Sequence, residues 1–279
     1  MAIILPHDVV GGGPPSHTAI ILHGILGSRR NWRSFTRRLA QRYPHWRCVT
    51  VDLRGHGDAH GASGPHTVDA CARDVARLTD TLGAAPRAVI GHSFGGKVAL
   101  RYAALFPVDL KAVWSLDSPP GLWRRDADGG EIGRLMATIR ALPMPTASRK
   151  VVNAHFLASG FGRDVAGWMS TSVRRVEGGV RWRFDLDVVE ALMADYATTD
   201  AWDAVERPLG RVSPHILLAG AGARWIAADR RRLLAADAAT VHVLPDAGHW
   251  VHVDDPEGVI ETLGATFRPA ASDPVASGS

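Results

Sequence analysis

The chain predicts an α/β fold, a mostly parallel sheet flanked by helices. Three observations carry this. Apolar runs at 18–22, 48–51, 87–90, 112–116, 216–220 and 241–244 have the length of strands and are too short for helices. Segments between several of them, at 32–40, 68–82 and 94–106, carry apolar residues at helical spacing; Ala72, Val75, Ala76, Leu78 and Leu82 fall on one side. Finally, Gly91-His92-Ser93-Phe94-Gly95 joins an apolar run to a helical one through a turn with little room for side chains.

Taken in order, the run at 18–22 leads into His23-Gly24-Ile25-Leu26-Gly27, and a first helix follows near Trp32. The run at 48–51 ends in Asp52-Leu53-Arg54-Gly55-His56-Gly57, ahead of the helix at 68–82. The strand at 87–90, the Ser93 turn and the helix at 94–106 come next, then the strand at 112–116 and Asp117. Pro119-Pro120-Gly121 breaks the alternation. From 119 to 207 the pattern is helical and irregular, with Trp123, Trp168, Trp182 and Trp202 spread through it. Strands resume at 216–220 and 241–244, the latter leading to Asp246-Ala247-Gly248-His249-Trp250. The expected division is a core from 1–118 and 208–268, a helical cap at 119–207 and a disordered tail at 269–279, where small polar residues offer nothing to bury. No internal repeat is present.

The 279 residues, 46% hydrophobic and 22% charged, are those of an ordinary globular protein large enough for one core with an insertion. No apolar stretch approaches the roughly 18 residues of a membrane span, and the first eight residues lack the basic and apolar regions of an export signal. A cytoplasmic protein without membrane partners is expected. Cys48 and Cys71 fall in a core strand and a helix and read as small buried hydrophobes. The arginine runs at 29–30, 37–38 and 230–232 read as solvated helix faces; no nucleic-acid reader motif accompanies them, so no nucleic-acid partner is expected. Asp52 to Gly57 invites a phosphate or metal reading, but no ligands at metal spacing, Walker lysine or dinucleotide fingerprint go with it, and a structural turn is expected instead. No metal and no cofactor are expected.

The blocks around Gly24, Asp52, Ser93 and His249, in this order, resemble the α/β-hydrolase superfamily, and more narrowly its small-acyl esterase branch. The resemblance covers about 18–119 and 216–267. It implies the α/β-hydrolase fold, with a helical cap inserted after the family's sixth strand (here 112–116) and covering the site. It also implies a nucleophile elbow at Ser93. In the family an acid usually follows the seventh strand; here that turn, Gly220-Ala221-Gly222-Ala223-Arg224-Trp225, holds no carboxylate.

A serine hydroxyl needs a base, and His249 has the address, in a Gly-His-Trp turn past the last strand; His252 stands three residues on, where the backbone already leaves the turn. Asp117, at the end of the strand beside the nucleophile strand, is the expected acid, in the family order Ser93, Asp117, His249. Its alternative is a loop-capping role, with Asp229 as the fallback acid, better suited to a helix first turn. The oxyanion donors implied are the amides of Ile25 and Phe94. Leu26, His92, Trp123 and Trp250 are the expected substrate contacts; His92 is also read as packing beside the serine without exchanging its proton. Phe156, Phe161, Met169 and the cap tryptophans line an acyl pocket or simply form the cap's core.

The expected activity is hydrolysis of a small-molecule carboxylic ester with a small or medium acyl or aryl group, through an acyl-enzyme, by a monomer or homodimer. The alternatives are the same triad turned to thioester or carbon–carbon bond hydrolysis or perhydrolysis, or a ligand receptor built on a hydrolase shell.

Overall fold

The computed structural model describes residues 3–11, 17–123, 130–222 and 224–268. Its first half runs β1 (His7–Val10), β2 (His17–Leu22), α1 (Arg33–Arg42), β3 (Trp46–Val51), α2 (Val68–Leu82), β4 (Ala88–His92), α3 (Phe94–Leu105) and β5 (Ala112–Leu116). The insertion holds α4 (Gly130–Ala141), α5 (Arg149–Ala158), α6 (Arg163–Thr171), the hairpin β6 (Val173–Val176) and β7 (Gly179–Trp182), α7 (Leu186–Thr198) and α8 (Asp203–Glu206). The chain then returns as β8 (Ser213–Ala219), α9 (Ala227–Leu234), β9 (Thr240–Leu244), α10 (Val251–Asp254) and α11 (Pro256–Phe267). The tail expected at 269–279 lies outside the described residues.

Seven strands pair in the order β1-β3-β2-β4-β5-β8-β9, all parallel except the edge pair β1–β3. This is the α/β-hydrolase fold, with the insertion after β5. Two features depart from the sequence reading. β1 was not anticipated, and the insertion, read as helical, contains the antiparallel β6–β7 hairpin. Four-residue strands are too short to establish a period.

Strand alternation divides the core between the two sheet faces. Ile20, Leu22, Val49, Val51, Val89, Val113, Ile216 and Leu218 face one side, against Cys71, Val75 and Leu78 of α2 and Val98 of α3. Ala19, Ile21, Cys48, Ile90, Trp114 and Leu217 face the other, against Phe35 and Leu39 of α1 and Val259 and Leu263 of α11. Among the described residues the insertion has no separate core: Phe156, Met169, Trp182 and Trp202 join the first cluster. Cys48 and Cys71 are buried and unpaired, and burial pushes the Cys48 thiol up to about 12.

What matters for the site is register. His92 pairs with Leu116, and Leu116 with Leu217, so β4 and β5 end level with one another and β8 runs two residues further, to Ala219. The residues that follow, including Ser93 and Asp117, therefore emerge on one carboxyl edge.

Candidate active site

The turn after β4 is built by close approach. A Cβ on Gly91 would meet the Gly95 carbonyl oxygen at 1.9 Å, and one on Gly95 would meet the His23 carbonyl oxygen at 2.5 Å. Only glycine lets the strand reverse into α3 there. Ser93 takes the strain, with φ +53° and ψ −120°, a region costly for any residue with a side chain. Its hydroxyl has no hydrogen-bond partner among the described residues, which leaves it free for an incoming group.

Asp117 begins the loop after β5, completely buried and also at positive φ, +47°. Its Oδ2 accepts a hydrogen bond from His249 Nδ1 at 2.8 Å. Its Oδ1 accepts from the Ala219 amide and from Trp225 Nε1, both at 3.2 Å. A buried carboxylate that accepts from Nδ1 puts the proton on that nitrogen and leaves Nε2 of His249 as the basic atom. Burial holds the His249 pKa below its ordinary value, with Asp117 pulling the other way, so the ring is neutral at pH 7 and able to take a proton.

His92, expected as a substrate contact or as packing beside the serine, is the last residue of β4. It is buried, and its Nε2–H donates to the His249 main-chain oxygen at 2.6 Å, which braces the histidine loop. His252, the alternative base, lies in α10 and stacks on Trp32, with rings 4.0 Å apart and 13° from parallel. Asp229 lies in the first turn of α9, where a Cβ on Gly121 would come within 3.5 Å of its Oδ1. The carboxylate bonded to His249 is Asp117's.

The loop after β2 is held from outside by two histidines in reciprocal positions. His23 Nε2 accepts from the Leu53 amide at 3.0 Å, and His56 Nε2 accepts from the Leu26 amide at 3.1 Å. Each Nδ1–H donates to main chain, His23 to Gly24 at 2.7 Å and His56 to Arg54 at 3.0 Å. Both rings are buried, and burial lowers His23 to about 4 and His56 to about 3. They are neutral cross-ties between 23–27 and 52–57. The amides of Ile25 and Phe94 donate to no described residue and are free to receive an anionic oxygen. Leu26, at φ +60°, is buried beside them.

The 52–57 turn is braced in turn. Asp52 Oδ1 accepts from the Arg29 amide at 2.8 Å and Oδ2 from the Asp58 amide at 2.9 Å, with the Arg29 guanidinium on the same carboxylate. Arg29 also pairs with Asp58 at 2.9 Å and Asp8 at 3.3 Å, so the reading of the 29–30 run as a solvated face fails at Arg29.

Aromatic rings of the insertion pair with rings of the core and with one another. Phe94 lies 5.8 Å from Tyr196 of α7, Trp123 lies 6.2 Å from the same ring, and Trp250 meets Trp168 of α6 edge-on at 5.5 Å. Tyr196 escaped sequence reasoning, as did Trp225 and Lys97. Lys97, on α3 one turn past Ser93, is fully buried and donates to the carbonyls of Gly121 (2.7 Å), Tyr196 (2.9 Å) and Thr199 (3.1 Å), which flank the two junctions of the insertion. Its one available signal was a charge among the apolar residues of α3.

A family profile described as "Alpha/beta hydrolase family" matches residues 19–262. A Mus musculus protein, sn-1-specific diacylglycerol lipase ABHD11, is 27% identical over 273 residues, covering 93% of this chain and 83% of its own length. A Citrobacter koseri protein, 2-succinyl-6-hydroxy-2,4-cyclohexadiene-1-carboxylate synthase, is 26% identical over 271 residues, covering 95% of this chain and 100% of its own. Among solved structures, a marine microorganism esterase superposes with a TM-score of 0.83 at 22% identity, covering 94% of this chain and 98% of that one. No described helix is long and apolar enough to cross a membrane.

Proposed function

This chain belongs to the alpha/beta hydrolase family, and from that we propose that it is a serine hydrolase cleaving carboxylic esters of small or medium acyl or aryl type, with Ser93 as nucleophile, His249 as base and Asp117 as acid. The observation that carries the assignment is the 2.8 Å hydrogen bond from His249 Nδ1 to the buried Asp117 carboxylate, beside the strained Ser93 turn.

On this assignment the reaction runs through an acyl-enzyme. His249 Nε2 takes the Ser93 proton as Oγ bonds to the ester carbonyl carbon. The carbonyl oxygen becomes an oxyanion facing the Ile25 and Phe94 amides, donors that need no reorganisation when charge develops. Collapse breaks the bond to the alcohol, which leaves with the proton from His249. Water then attacks the acyl-enzyme, giving its proton to His249, and Ser93 recovers one as the acid departs. Asp117 remains a carboxylate throughout and stabilises the imidazolium.

Fluorophosphonate labelling tests this reading. Adduct on Ser93, absent in Ser93→Ala, is expected; intact protein that stays unlabelled would end it. Similarity to the Citrobacter koseri synthase favours a second reading, in which the same three residues serve a reaction other than ester hydrolysis. Turnover on nitrophenyl esters, acyl-CoAs and vinylogous diketones separates the two, since the esterase reading requires the esters to be the best substrates.

A further inference from the structure

We propose that Trp225 is a positioning residue of the reaction: its indole N–H holds one oxygen of Asp117 so that the other faces His249. The inference rests on the assignment of Asp117 and His249 above. It begins from the turn after β8, at 220–225, which in similar hydrolases supplies the acid and here has none. The same turn sends a hydrogen-bond donor to the acid that stands on β5 instead, with Trp225 Nε1 3.2 Å from Asp117 Oδ1.

The accounting at Asp117 makes this donor consequential. An ionised carboxylate offers about four acceptor positions. His249 Nδ1 occupies Oδ2, while the Ala219 amide and the Trp225 indole share Oδ1. Two donors on one oxygen and one on the other define which edge of the carboxylate His249 sees. With the indole removed, Oδ1 keeps only a 3.2 Å main-chain contact, and the carboxylate gains freedom to turn about its terminal torsion. A Cβ on Gly222 would lie 3.5 Å from Oδ2, so the turn also closes over the acid from the other side. Trp225 is 6% exposed and packed in the core cluster, so its ring is fixed by burial while its N–H is spent on the carboxylate.

The indole has a second effect. A donor on Oδ1 draws negative charge from the oxygen that faces His249 and so reduces that histidine's hold on a proton. The other groups that bear on His249 are Arg224 in the turn after β8, His252 and Asp254 on α10, and His92 at the end of β4, and Trp225→Phe replaces none of them.

The test is Trp225→Phe, which keeps a ring and removes the donor. Turnover per fluorophosphonate-titrated site on a nitrophenyl ester should fall about 10- to 100-fold, the worth of one hydrogen bond to a charged group. KM should change little, and the acidic limb of kcat/KM should move to higher pH. In an Asp117→Asn background the same substitution should cost nothing further. Unchanged turnover and an unmoved limb, or losses that multiply in the double variant, would overturn the proposal by leaving Trp225 as packing alone. Should Trp225→Phe fail to fold, the nine tryptophans still report: one indole N–H resonance in the wild type should shift upfield in Asp117→Asn, and nine unmoved resonances overturn the inference. A wild type that fluorophosphonate does not label refutes the assignment beneath it, separately from either result.

Discussion

Replacing His56 with alanine should disable the oxyanion loop from behind, because the ring holds the Leu26 amide, one residue beyond Ile25. His56 is completely buried, accepts from Leu26 N at 3.1 Å and donates to Arg54 O at 3.0 Å. The substitution removes two hydrogen bonds at about 1 kcal/mol each and leaves the Leu26 amide buried without an acceptor, at about 1–3 kcal/mol more. These sum to about 3–5 kcal/mol, a large part of the 5–15 kcal/mol typical of a domain, and the ring-sized void left behind adds to the loss. The catalytic effect follows from the same shift. Outright loss of an oxyanion donor costs about 10²- to 10³-fold; a displaced Ile25 amide should cost about 10- to 100-fold in kcat. Urea denaturation at pH 7.5 gives the first quantity. Turnover per fluorophosphonate-titrated site, at a temperature where the variant remains folded, gives the second. Turnover within twofold of wild type, from a variant destabilised as calculated, would refute the link between this histidine and the Ile25 amide. A stability loss under about 1 kcal/mol would refute the hydrogen-bond accounting itself.

Three further outcomes are expected. His23 and His56 titrate near 4 and 3 when folded and near 6.5 when unfolded, so below pH 6.5 the unfolded chain binds the extra protons and stability falls as pH falls toward 4. Each costs up to about 1.4 kcal/mol per pH unit in that window; the slope of unfolding free energy between pH 6.5 and 5 should be shallower by about one proton in His56→Ala, and equal slopes would contradict the buried neutral pair. Lys97→Met strips three carbonyls of a charged donor at the junctions of the insertion. It should cost about 3–5 kcal/mol and make the insertion the first site of limited proteolysis; a digestion pattern like that of the wild type would show that the ammonium pins nothing. Asp117→Asn should lower kcat about 10⁴-fold while Asp229→Asn stays within twofold, measured on one nitrophenyl ester. The reverse order would transfer the acid to α9.

The local parts of the site could be read before any coordinates. The elbow is visible because its constraints act over a few residues: Gly91 and Gly95 are dictated by carbonyls 1.9 and 2.5 Å from where a Cβ would stand. Five of the six main-sheet strands of the sequence reading announced themselves as apolar runs because a parallel sheet covered on both faces leaves no polar side; the sixth, β9, is a half-exposed edge strand. β1 escaped because His7–Val10 is a half-exposed edge strand without such a run, and the β6–β7 hairpin because its strands are too short to set a period.

The resemblance to the α/β-hydrolases, together with chain order and chemistry, led to the proposal of Ser93, Asp117 and His249, since the turn where that family usually carries its acid is empty here. What holds that acid is a matter of tertiary structure. Trp225 reaches Asp117 across 108 positions of sequence, and His23 and His56 find their amides 30 positions away. Spacing carries no trace of such pairings, because a buried donor selects its acceptor by proximity after the sheet has formed. An indole in a turn, a histidine in a glycine-rich loop and a lysine in a helix have the same letters whether they face water or a carboxylate. Packing distinguishes them, because burial penalises every polar atom that it does not pair.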